Sequence, residues 1–142
     1  MDLASTRDAV RYSAIKTLVY DGYLFRQVTG VYYGKSLAYN CGILKEKPKK
    51  DYIICNDGKK EFDDKVIRDT VVRVKKTYVP ITEENYRQIE GLNLLMFLMK
   101  HTTYQKEVED YLIREKIFLE NLEPFIDKYP KSILKVFSKL FR

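Results

Sequence analysis

Residues 70–100 read TVVRVKKTYVPITEENYRQIEGLNLLMFLMK, and the hydrophobic period changes in the middle of them. Before Pro80 the period is two. Thr70, Val72, Val74 and Tyr78 fall on one face and Arg73, Lys75 and Thr77 on the other, which predicts a half-buried strand near 70–79. After Pro80 it is close to 3.6: Thr82, with Glu83 and Glu84 in the first turn, opens a helix that reaches about Lys100. Residues 92–99 are apolar nearly all round, so this helix is expected to be the most buried in the chain. A sheet before Pro80 and helices after it make an α+β fold, with no internal repeat and no alternation of strand and helix.

Upstream, Ser5 followed by Asp8 resembles a capping box and starts an N-terminal helix that Asp21-Gly22 stops. From Tyr23 to Val79 strand signals dominate: Tyr23–Val28, a Thr29-Gly30 turn, Val31–Tyr33, and an aromatic and apolar stretch from Leu37 to Leu44. Asp51–Cys55 followed by Asn56-Asp57-Gly58-Lys59 reads as a hairpin, because Asn, Asp and Gly tolerate the positive φ of a tight turn; its return strand would be residues 60–62. The expectation is a central antiparallel sheet of about four to five strands with one solvated, basic face. Downstream of the apolar helix, a second helix is expected over about 103–122, with Val108, Tyr111, Leu112, Phe118, Leu119 and Leu122 on its packing side. A short last helix follows Pro130, giving a C-terminal part of two to three helices. Residues 1–80 and 81–142 are thus an N-terminal helix with its sheet and a helical part packed on it as one domain.

The net charge of +6 hides an uneven distribution. Residues 1–50 carry nine Lys/Arg against four Asp/Glu, residues 81–129 six against ten, and residues 130–142 four against none. A basic front, an acidic middle and a basic tail bear on partners rather than on fold. With 18 Lys to 8 Arg, 12 Tyr and only 4 Ala, the composition fits an AT-rich coding sequence, as in low-GC bacteria, their phages and viruses. The start, Met-Asp-Leu-Ala-Ser, has neither a basic region nor an apolar core, and the longest apolar run is too short to cross a bilayer. A cytoplasmic chain without a transmembrane segment is the expectation.

Most site chemistry fails on inventory. His101 is the single histidine, and Cys41 and Cys55 are 14 residues apart with no second His to complete a zinc set, so no metal and no cofactor is expected. Both cysteines read as reduced, partly buried strand residues, and His101 as a helix-capping residue. Gly34-Lys35-Ser36 resembles the end of a phosphate-binding loop, but the glycine needed five places earlier is Thr29, and Tyr32 and Tyr33 would crowd the cradle. Asp63-Asp64 reads as a solvated turn beside Lys59, Lys60 and Lys65. Glu115, on the packing side of its helix, requires a partner, because an unpaired buried charge costs several kcal/mol. No acid, base and nucleophile converge, so a non-enzymatic protein is expected.

Two surfaces remain. The last helix places Ile133, Leu134, Val136, Phe137, Leu140 and Phe141 on one half of its wheel and only positive charges on the other. That face either packs on its own domain or meets a protein partner or a second copy; eleven residues without Trp make a poor membrane anchor. The first functional expectation is therefore a small interaction or assembly protein, of phage, viral or mobile-element type, acting through protein contacts. The alternative rests on seven tyrosines within residues 12–52, interleaved with basic residues. Arg26, Tyr32, Tyr33, Lys35, Lys45, Lys47, Lys49, Lys50, Arg73 and Lys75 would form a sequence-tolerant nucleic-acid surface, rings stacking on bases and cations meeting phosphates.

Overall fold

Among the described residues four short strands make one mixed sheet: β1 (Gly30–Tyr32), β2 (Asp51–Cys55), β3 (Asp63–Ile67) and β4 (Thr70–Lys76), in the order β1-β2-β4-β3. The structure, a computed structural model, describes residues 30–56, 63–67 and 70–140. The helix expected near 5–20, the strand at 23–28, Arg26, the return strand at 60–62 and Phe141 lie outside the described residues.

The two outer pairs are antiparallel, but β2 and β4 run parallel, with Tyr52 beside Arg73 and Ile53 beside Val74. This corrects the antiparallel expectation. The physical reason is edge occupancy: β1 lies along one edge of β2, and the other edge is taken by β4, a strand that runs in the same direction. Asn56, expected in a tight turn, clamps the end of β2 to the helical half. Its side-chain amide donates to the Ile81 carbonyl at 2.9 Å and its oxygen accepts the Ile81 N–H at 2.7 Å. Asp63 and Asp64, expected in a turn, instead open the edge strand β3. Gly30 is required where β1 crosses close to β2, since a β-carbon there would stand 2.7 Å from Cys55 Cβ and 2.9 Å from the Ile54 carbonyl.

The Leu37–Leu44 stretch is not sheet. Gly34–Asn40 forms α1, with Ser36, Leu37 and Ala38 buried on one side and Cys41 at its C-cap. The apolar positions 37, 38 and 41 have helical spacing, and Gly42 at φ 81° turns the chain away while the Ile43 N–H closes on the Ala38 carbonyl. Cys41 is thus a helix-end residue, whereas Cys55 lies in β2 as expected; both are buried.

Helix α2 (Tyr86–Lys100) matches the expectation from its sequence: Ile89 to Leu95, with Phe97 and Leu98, are buried on every side of it. It packs on α1, β1 and all the later helices. Thr82 closes the turn that leads into α2, and its partner is the N-cap residue Asn85 rather than a glutamate: Asn85 Oδ1 accepts the Thr82 N–H at 2.8 Å, and Thr82 Oγ1 accepts the Asn85 N–H. Asn93, buried among leucines, donates to the Tyr32 carbonyl and accepts from the Tyr129 hydroxyl at 3.2 Å. One amide thereby ties sheet, central helix and C-terminal segment together.

The single helix expected over 103–122 is broken. A 3-10 turn (Thr102–Tyr104) leads into α3 (Gln105–Arg114), and α4 (Leu119–Leu122) is followed by a second 3-10 segment, Glu123–Lys128. Between α3 and α4, Lys116 adopts φ 58° and the Ile117 N–H returns to the Leu112 carbonyl, so the helix ends there. The break leaves Phe118 44% exposed while Ile117 takes the buried place. Glu115 finds its partner in Arg87, 3.3 Å away. The last helix, α5 (Ile133–Leu140), packs along α2. No helix among the described residues is long and apolar enough to cross a membrane.

Candidate functional site

Period-two geometry puts Tyr52, Arg73 and Lys75 on the side of the sheet opposite Ile53 and Val74. This side is only partly solvated. Val31 and Ile54 on it are each 1% exposed, whereas toward β3 Arg73 and Asp64 are partly open and Val66 is 74% exposed. The accessible part carries a connected set of rings and charges. Tyr33 meets Tyr52 edge to face with ring centres 5.6 Å apart, and the Arg73 guanidinium carbon lies 6.0 Å from the Tyr52 ring centre. Lys75 donates to the Tyr78 hydroxyl at 2.7 Å and lies 4.7 Å from its ring centre, and Tyr78 packs on Tyr129.

One carboxylate organises the cations. Asp64 Oδ1 accepts from Arg73 Nε at 2.8 Å, and its Oδ2 accepts from Arg73 Nη2 at 3.2 Å and from Lys50 Nζ at 3.1 Å. Hydrogen bonds from Arg73 and then Lys50 hold the Asp64 carboxyl down at about 2. Burial pushes the Tyr33 hydroxyl up to about 12, so it supplies ring surface rather than charge, and burial raises Tyr129, a core residue beneath Tyr78, as well.

The other expected residues are dispersed. Tyr32 is buried in the core, with its carbonyl bonded to Asn93. Lys35 is exposed on α1, close enough to His101 to act with Lys100 in lowering its pKa, although burial is the larger cause. His101 is the C-cap of α2, as expected, and its ring stacks on Phe97 at 4.5 Å. Lys45, Lys47 and Lys49 are exposed on the segment between α1 and β2. Ser36, the last residue of the phosphate-loop look-alike, is committed to structure: its hydroxyl accepts the Tyr52 N–H at 2.8 Å and donates to the Lys50 carbonyl. Tyr52, Tyr78 and Asp64 belong to the assembled surface and were not in the expected set. Strand alternation around Ile53 points to Tyr52, but Tyr78 was expected on the valine face. The strand ends at Lys76, and Thr77 Oγ1 bonds both the N–H and the carbonyl of Val79, so alternation no longer holds at Tyr78.

The C-terminal apolar face is largely spent inside the molecule. Ile133 and Leu140 are buried, Val136 and Phe137 half-buried against the core, and Leu134 alone of the described set is exposed, at 50%. A cleft of about 270 Å³ lies beside α5, with Leu98, Met99 and Val136 in its lining and Lys135 and Lys139 contributed by the helix. Among the described residues no group of three or more His, Cys, Asp or Glu is placed to hold a metal ion. Comparisons of the chain with protein-family models, with curated proteins and with solved structures found no match.

Proposed function

We propose that this chain binds single-stranded nucleic acid, with little sequence preference, on the open part of its sheet face. The observation that supports the reading is the juxtaposition of Tyr52 and Arg73 across the parallel strand pair, flanked by Tyr33 on one side and by Lys75 with Tyr78 on the other. Ring faces accept bases of any identity by stacking, and Lys and Arg neutralise the phosphates between them, so rings interleaved with cations suit a strand whose bases are unpaired. A duplex hides its base faces and would use only the cations. Assembly through the last helix, the other functional expectation, would have to rely on Leu134 and the residues beyond it, since most of that face is covered by its own domain.

Fluorescence anisotropy with a labelled oligo-dT strand tests the reading. Affinity should fall steeply with salt, and Tyr52→Ala should weaken binding by about 5- to 150-fold, since stacking on one ring is worth about 1–3 kcal/mol. Replacing Lys45, Lys47, Lys49 and Lys50 together by Gln should flatten the salt slope. Absence of binding to single- and double-stranded probes at low salt, with a solution mass above that of the monomer, would transfer the function to protein contacts.

A further inference from the structure

The Lys50, Asp64 and Arg73 triad has the form of an occupied anion site. Lys50 precedes β2, Arg73 lies in the middle of β4, and the two converge on a single carboxylate supplied by the edge strand β3. Arg73 grips it through Nε and Nη2, one to each oxygen, and Lys50 adds a third contact to Oδ2. A guanidinium fork assisted by an ammonium is the arrangement that holds a phosphate diester equally well, because both anions present two oxygens in a similar span. The site is also accessible: the side chains of Lys50 and Asp64 are 36% and 38% exposed, and the Tyr52 ring stands beside Arg73.

We infer that Lys50 and Arg73 form the principal phosphate-holding point of the sheet face, and that Asp64 fills it in the free protein and is displaced by the incoming strand. This rests on the nucleic-acid reading above and gives it a regulator. Asp64 acts as a built-in competitor: it keeps the two cations aligned on the sheet and subtracts one negative charge's worth of attraction from every encounter. A base stacked on Tyr52 brings its neighbouring phosphate to the fork, and the carboxylate, on an edge strand, swings into solvent.

The test compares wild type, Asp64→Asn and Asp110→Asn on the same oligo-dT probe over a salt series, with thermal melting of each variant to confirm folding. Asp110 is exposed on α3, so its replacement makes the same change in net charge away from the sheet face. Asp64→Asn should bind about tenfold tighter than wild type at low salt, with a log affinity against log salt slope steeper by about one, while Asp110→Asn stays close to wild type. Asp64→Ala, which leaves no polar end to bridge the cations, should show the same gain, and adding Arg73→Gln should abolish it. Wild-type binding with no greater gain from Asp64→Asn or Asp64→Ala than from Asp110→Asn would overturn the displacement mechanism and leave the nucleic-acid reading standing. Failure of all these folded proteins to bind would overturn both.

Discussion

Truncating the same side chain at two sites separates burial from composition as the source of stability. Leu95 on α2 is 0% exposed and Leu134 on α5 is 50% exposed. Leu95→Ala leaves a void in a helix enclosed by α1, β1 and the later helices, so neighbouring elements have little room to collapse into it. The expected loss is about 3–5 kcal/mol, the upper part of the range for buried leucines. For a chain of 142 residues, 1 kcal/mol corresponds to roughly 3 °C in Tm, so the melting temperature should fall by about 9–15 °C. Leu134→Ala removes the same carbons from a site that already faces water over half its surface, and should cost below about 1 kcal/mol. Urea titration followed by far-ultraviolet circular dichroism measures both, and an unchanged m-value confirms that the same surface unfolds. Equal losses at the two positions, or a loss under about 1 kcal/mol at Leu95, would refute the claim that α2 is the core of the fold.

Gly91 offers a test of packing tolerance. A β-carbon there would stand 3.0 Å from Ile117 Cγ2 and 3.1 Å from Leu122 Cδ2, so Gly91→Ala should lose about 1–3 kcal/mol to overpacking against a helix-propensity gain of about 1 kcal/mol. A net shift of the urea midpoint to lower concentration is expected; a higher midpoint would mean that the α4 segment yields easily. His101 predicts a pH effect. Burial, then Lys35 and Lys100, lower its pKa from 6.5, so the folded state favours the neutral ring and stability should decline as pH falls from 6.5 through the folded value. His101→Gln should remove that part of the decline between pH 7.5 and 5, and an identical decline in wild type and variant would show that the ring titrates freely.

What could be read from the sequence followed from short-range chemistry. The largely apolar 92–99 run placed α2 at the centre, and the alternation of Val72 and Val74 with Arg73 and Lys75 placed β4, because both signals are local and repeat several times. Leu37–Leu44 misled because its six apolar or aromatic positions fit either period, and the decisive feature was the positive φ of Gly42 near its end. The break at Lys116 had no breaker residue to announce it: a lysine at φ 58° is set by the burial of Ile117 behind it. The parallel pairing of β2 with β4 was beyond local reading altogether, since it depends on which edges are free once the chain has folded back. The candidate surface suffered accordingly. Arg73, Lys75, Lys50 and Tyr33 were recognisable by type, but their grouping with Tyr52, Tyr78 and Asp64 required the strand register.

That register also orders events during folding. β3 and β4 adjoin in sequence and pair antiparallel, so they close a small loop, whereas the parallel seam between β2 and β4 forms only after the intervening chain has been gathered back. Tyr52 and Arg73 face each other across this seam. The ring and the guanidinium therefore come together only once this seam has formed. A strand bound across it would act as a staple, slowing the separation of the two halves of the sheet and protecting the amides of β2 and β4 from exchange more than those of α3.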